Sequence, residues 1–290
     1  MIQQLSGLML VATVLFSTGT SQVGKEITEQ AQTATRQSQL AVVPSTSSPG
    51  DVLLAKSRQP ATVTFFQKSY RLQPSKGEYV RFIPVPFDAK PGTHTIQTQD
   101  RKYESTITII PKQFQVDRLT VSQKLNQMRQ DTARINADQQ KINAARSKSA
   151  DSAYFTDKFL WPAEGRITTP YGYQRVVNGV PANRHAAIDI ANKTGTPIIA
   201  ANHGRVVLAD SLYLTGNTVI IDHGLQVFSI YAHMSKIEVK TGDEVKAGQQ
   251  IGQIGSTGFS TGPHLHFGML IGNTYVNPQP FLEASPFLWE

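Results

Sequence analysis

"TGPHLHFGML", residues 261–270, sets two histidines two positions apart in an otherwise apolar run that follows a Gly-Pro. Successive side chains of a strand point to opposite faces, so His264 and His266 project from the same one. Two titratable rings on one face of a buried-looking strand ask for a chemical explanation, and the surrounding sequence supplies one.

Working outward, the segment from Phe159 onward reads as strands and tight turns. "RVVLAD", "TVIIDHG", "QVFSIYAHM" and "KIEV" are consecutive β-runs joined by glycine-containing turns. "TGDEVKAGQQIGQIGSTG" repeats glycine too often for a helix and fits short strands and corners of a compact sheet. A mainly β domain is therefore expected over residues 155–286.

Six of the seven histidines lie in this domain. His203 in "ANHGR" and His223 in "IDHGL" precede glycines at turns, where histidine is tolerated for backbone reasons, and both read as structural. "RHAAIDIA" places His185 and Asp189 four apart, an even spacing that gives them one face if the segment is a strand, as its alternation favours. The chain has no cysteine, so any metal must be held by histidine and carboxylate. His185, Asp189 and one ring of the 264/266 pair would make three protein ligands. Catalytic zinc sites take that number and leave a fourth position to water. His233 in "IYAHMS" and the remaining ring would stand beside the metal without binding it. "IGSTGFSTGPH" and "YGYQRVVNGVPANR" are expected as loops walling a groove open to an extended peptide.

Taken in order, "RHAAIDIA", "GNTVIIDHG", "YAHMS", "TGDEVKAGQQIGQIGSTG" and "STGPHLHFGM" resemble the lysostaphin/LytM-type zinc endopeptidases that cut peptidoglycan. The resemblance covers about residues 159–285 and implies a LytM-type antiparallel β-sheet peptidase domain. It implies one zinc ion on His185, Asp189 and His266, with catalytic roles for His233 and His264. By the same resemblance zinc would polarise the scissile carbonyl, with His264 as general base for water. His233 would then serve the oxyanion or the leaving amine. The sequence leaves the division of labour between those two rings open. Members often carry glycine midway in the first motif, where this chain has Ala187, a change that removes no ligand. The implied substrate is a peptide stem or cross-link of peptidoglycan.

Upstream, residues 1–21 fit a signal peptide or an N-terminal membrane anchor. No charge precedes Lys25, and "GLMLVATVLF" is too short to span a bilayer, which needs roughly 20 residues. Export to the periplasm or cell envelope follows as the expectation. Residues 22–60, rich in Gln, Thr, Ser and Ala, are expected to be a flexible tether. Residues 61–118 carry short β-branched and aromatic runs between turn signals, as in a small sandwich, and resemble the immunoglobulin-like domain of some exported members. Within it, His94 is a lone surface histidine. Residues 119–150 suggest a linker helix with one weak apolar stripe, Val121, Leu125, Met128, Ile135 and Ile142, packing lightly on a neighbour.

The 28 Lys and Arg against 21 Asp and Glu suit an anionic partner such as the wall. No basic and aromatic constellation of the nucleic-acid kind is present, so no nucleic-acid partner is expected. Oligomeric state is not legible. Two other classes compete: a non-catalytic LytM-fold regulator that activates another hydrolase, disfavoured by the full ligand set, and a lipoyl-, biotinyl- or phosphotransfer-type carrier suggested by "VKAGQQIGQIGSTG". The carrier reading leaves the four clustered site histidines and Asp189 unexplained.

Overall fold

The computed structural model describes residues 39–289. The expected signal segment 1–21 and residues 22–38 of the expected tether lie outside the described residues.

The rest of the expected tether is folded. β1 (Leu40–Val43), β2 (Thr46–Ser47) and β3 (Val52–Ser57) join β4 (Thr62–Phe65), β5 (Lys68–Arg71), β6 (Gln73–Ser75), β7 (Glu78–Pro84), β8 (Gly92–Thr98) and β9 (Glu104–Ile109). They form two facing sheets, in the orders β1-β3-β7-β6 and β2-β9-β8-β4-β5. The physical reason lies in the run "VLLA" of β3. Leu53 and Ala55 fill the sandwich, while Val52 and Leu54 enter the core of the C-terminal unit. A strand buried on both faces reads as a continuous apolar run rather than an alternating one, and four such residues are diluted by the polar composition around them.

The connector differs from a single helix over 119–150. It opens with β10 (Val116–Leu119) and continues as two helices, α1 (Gln123–Met128) and α2 (Thr132–Ala145). Asp131 starts α2 afresh, its side chain accepting from the backbone N–H of Arg134 at 3.1 Å. Of the expected stripe, Val121 and Ile142 are buried. Ile142 packs with Leu208, Leu212, Ile220 and Phe228 on the C-terminal sheet.

That sheet has eight strands. β11 (Arg166–Thr169), β14 (Ile188–Ala191), β22 (His264–Ile271), β18 (Val227–Met234), β17 (Gly216–Asp222), β16 (Gly204–Leu212) and β20 (Glu244–Val245) lie in that order, and β23 (Thr274–Val276) pairs with β22. Every pairing within it is antiparallel. β12 (Gln174–Val177) and β13 (Val180–Arg184) form a hairpin that extends β10, and β15 (Pro197–Ile199), β19 (Lys236–Ile237) and β21 (Gln250–Gln253) make a small third sheet. The expected loop at 171–184 is thus largely a hairpin. Its turn, Asn178-Gly179, has positive φ at both residues, as the tightest right-twisting hairpin turn requires. A short helix, α3 (Gln279–Glu283), and a 3-10 turn at Pro286–Leu288 end the described stretch.

The two faces of the large sheet do different work. Leu265, Phe267, Met269 and Ile271 of β22 point into the main core with Val219, Ile221, Val227 and Tyr231. Leu270, Ile230 and Phe228 point the other way, beneath α2. His264 and His266 share the parity of Leu270, so they stand on this second face beyond the helix's cover.

Candidate metal centre

Strand pairing brings the first two elements of the site together. Asp189 on β14 lies directly across from His266 on β22, with Ala191 across from His264. Ile188 and Ile190 are sunk in the main core, which turns Asp189 to the opposite face, toward the histidines.

His185 arrives differently from the expectation. It precedes β14 rather than lying on it, pinned by its backbone N–H to the carbonyl of Tyr173 at 2.8 Å and by its carbonyl to the N–H of Gly172 at 2.7 Å. Its ring still reaches the same point. Nε2 of His185 is 2.9 Å from Asp189 Oδ1 and 3.2 Å from His266 Nδ1, and His266 Nδ1 is 2.8 Å from the same carboxylate oxygen. Ala187, between the two residues of the motif, is fully buried, and the convergence stands around its methyl group.

His233 depends on a backbone irregularity. Regular alternation from Val227, Ser229 and Tyr231 would send it into the main core. Instead it adopts φ +63°, and Met234 takes the core position. A non-glycine residue held in the left-handed region costs on the order of 1–3 kcal/mol and re-aims its side chain. The ring centroid of His233 then stands 4.8 Å from that of His264 and 5.6 Å from that of His266.

Tautomers follow from the outer contacts, because a carbonyl oxygen can only accept. Nδ1–H of His185 donates to Pro170 O at 3.1 Å, that of His233 to Thr257 O at 2.8 Å, and that of His264 to Gly262 O at 2.8 Å. With Nδ1–H so engaged, Nε2 is the ring atom that each of the three turns to the site. In His185 that atom faces a carboxylate oxygen, an acceptor against an acceptor when the ring is neutral, which a shared cation resolves. Burial pushes the His266 ring down to about 4 despite the adjacent Asp189. Burial, reinforced by the His266 and His264 rings, takes His233 down to about 3. Both are neutral at pH 7. Burial raises the Asp189 carboxyl, but the contacts of His185 and His266 outweigh it and hold the group well below the usual carboxylate range.

Outside this cluster the other histidines are separate. Buried His223 donates Nδ1–H to His203 O at 2.7 Å and takes the Ser229 hydroxyl on Nε2 at 2.7 Å, whereas His203 is exposed. His94 bonds the carbonyl of Lys90 in the sandwich.

A cleft of about 290 Å³ opens over Asp189, His233 and His264, walled by Leu119, Arg175 and Phe259. A second groove of about 780 Å³, also lined by Ser260, lies between the 256–260 loop and helices α1 and α2. Arg175 and Leu119 were not legible as site residues. Arg175 donates from Nη2 to Asp189 Oδ2 at 3.0 Å, a contact that no local spacing signals.

Residues 183–278 match the profile of Peptidase family M23. This segment is an M23 peptidase domain. The chain is 39% identical over 123 residues to glycyl-glycine endopeptidase ALE-1 of Staphylococcus capitis, covering 40% of this chain and 34% of that protein. It is 42% identical over 93 residues to peptidoglycan DD-endopeptidase ShyA of Vibrio cholerae, covering 32% and 22%. The chain thus spans about a third or less of these curated relatives. A solved Pseudomonas aeruginosa structure assigned to peptidase M23 aligns with a TM-score of 0.62 at 25% identity, over 81% of this chain and 94% of that one. So broad an alignment takes in elements upstream of the M23 domain.

M23 peptidases use zinc, and the donor set fits that ion. Zinc–ligand bonds of about 2.0–2.2 Å in a tetrahedron put neighbouring donors roughly 3.3 Å apart. The three atoms here lie 2.8–3.2 Å apart before any relaxation, and two imidazoles with one carboxylate are zinc's habitual catalytic donors.

Proposed function

We propose that the protein is a zinc-dependent endopeptidase that hydrolyses amide bonds in the peptide stems or cross-links of peptidoglycan, acting outside the cytoplasm. One observation carries this reading: three donor atoms, His185 Nε2, Asp189 Oδ1 and His266 Nδ1, converge beside two further rings, His233 and His264, whose free Nε2 atoms face the same cleft. The named activities of ALE-1 and ShyA support the substrate class, and the basic balance of the chain suits an anionic wall.

In this reading His185, Asp189 and His266 hold zinc, which supplies Lewis acidity toward the scissile carbonyl and acidifies bound water. His264 Nε2 accepts a proton from the attacking water, and the carbonyl of Gly262 steadies the imidazolium through Nδ1–H. His233 is too weakly basic at rest to carry a proton, so it begins as an acceptor. It takes the water's second proton during turnover, its Nε2–H then donates to the oxygen gaining charge, and this proton and the one on His264 both leave on the departing amine. The cleft over Asp189, His233 and His264, with the second groove on the other side of Ser260, offers room for an extended peptide.

Elemental analysis of the purified chain should give one zinc per molecule. Digestion of purified peptidoglycan should stop on chelation and resume with added zinc. A metal-free protein without chelator-sensitive cleavage overturns the reading.

A further inference from the structure

Asp189 gives only one oxygen to the donor cluster. The other, Oδ2, is held by Arg175, whose Nε in turn lies 3.6 Å from Oδ2 of Asp117. All three side chains are largely withdrawn from solvent, at 6% exposure for Asp189, 23% for Arg175 and 19% for Asp117. Neither Arg175 Nε nor Asp117 Oδ2 has a hydrogen-bond partner among the described residues, so their 3.6 Å ion-pair contact is the charge compensation that each finds there. The contact is built by the backbone. β10 runs parallel to β12 with Asp117 in register with Arg175. Asn178 locks the end of that pairing, accepting from Val121 N–H at 2.9 Å and donating to Val121 O at 3.1 Å.

Charge decides what this arrangement does. A guanidinium alone against Asp189 would cancel the carboxylate's charge toward a divalent cation. Asp117 compensates it, leaving the Asp117–Arg175–Asp189 row with one net negative charge. It also holds the guanidinium so that Oδ2 is engaged and Oδ1 stays turned toward His185 and His266. Partners that orient metal ligands in this way are worth typically 10–100-fold in metal affinity.

We propose that Asp117 is a positioning residue of the metal centre, acting through Arg175 on Asp189. The connecting strand β10, 66 residues upstream of the M23 segment by position (117 against 183), is then a working part of that centre. The inference rests on the zinc reading of His185, Asp189 and His266.

The test uses the full-length chain and its Asp117→Asn, Asp117→Glu, Arg175→Gln and Asp117→Asn/Arg175→Gln variants. Zinc affinity is measured by competition with a colorimetric chelator, and thermal melting is followed on the zinc-free proteins. Asp117→Asn should weaken zinc about tenfold, and Asp117→Glu should restore most of the loss. In the Arg175→Gln background the same Asn substitution should change affinity less than about twofold, because its route to the metal is gone. Zinc-free melting should match wild type. Affinity within about twofold of wild type in Asp117→Asn, equal weakening in both backgrounds, or a melting temperature that falls in step with affinity overturns the role of Asp117. In those outcomes the zinc centre itself stands. A wild-type chain that binds no zinc, or whose zinc survives His266→Ala unchanged, overturns the centre and the positioning role together.

Discussion

At the scale of single residues, the chemistry separates two histidines that are chemically identical and two positions apart. On the proposed zinc reading His266→Ala should lose zinc and turnover together, since Nδ1 of this ring is one of the three converging atoms. His264→Ala should keep its zinc and lose turnover by roughly 10²–10⁴-fold, the usual worth of a positioned acid–base group. Zinc content and cleavage rate measured on the same preparations decide this, and equal metal loss in both variants would refute the split. Away from the site, buried His223 is pushed down to about 4 by desolvation, below its ordinary 6.5. The unfolded chain therefore binds the extra proton between those values. The neutral ring's contribution is complete above about pH 6.5 and is lost as pH falls toward 4, a loss on the order of 3 kcal/mol. Chemical denaturation from pH 7 to pH 4 should show that decline, and His223→Asn should flatten it. The shared face of Asp189, His264 and His266 was legible because period-two alternation fixes it, whereas His185 reaches the cluster from the loop before β14. Arg175 and Asp117 were not legible, because a parallel pairing between residues 58 apart brings them together, and no local pattern encodes it.

At the scale of elements, bulges and turns do what regular strands cannot. The left-handed backbone at His233 is invisible in "IYAHMS", where alternation alone would bury the ring. Its support comes from the 256–260 loop, whose Thr257 carbonyl receives His233 Nδ1–H. That loop packs on the β16–β17 turn through Gly258 at φ +74°, where a methyl group would collide with the backbone of Leu214 and Gly216. Gly258→Ala should therefore destabilise the fold by roughly 1–3 kcal/mol, judged by denaturant midpoint. It should depress turnover while zinc binding persists, because the loop displaced is the one that holds His233 and not the donors. The strands of the C-terminal sheet were legible from their apolar runs. β1 to β3 were not, since a polar neighbourhood masks four apolar residues that serve two cores, and the break between α1 and α2 turns on the cap at Asp131.

At the scale of the whole molecule, one sandwich sheet lends its outer face to the main core of the C-terminal unit through Val52, Leu54, Val80 and Phe82. Phe82 of β7 is fully buried among Phe155, Phe281, Phe287 and Trp289, with ring centroids 5.9–6.1 Å away. Phe82→Ala should cost about 3–5 kcal/mol. Calorimetry should show one transition for the wild-type chain, and a single transition moved to lower temperature for the variant.

β22 has a neighbour on each side, β14 and β18, and it carries both histidines of the opening pair. Amide protons of a strand so placed exchange with solvent only when the sheet as a whole opens, whereas frayed edges and loops exchange sooner. The backbone of Leu265 to Phe267 should accordingly rank among the slowest-exchanging in the chain. Heat should then inactivate the protein in step with global unfolding, with no earlier state in which the sheet is intact and the donor cluster dispersed.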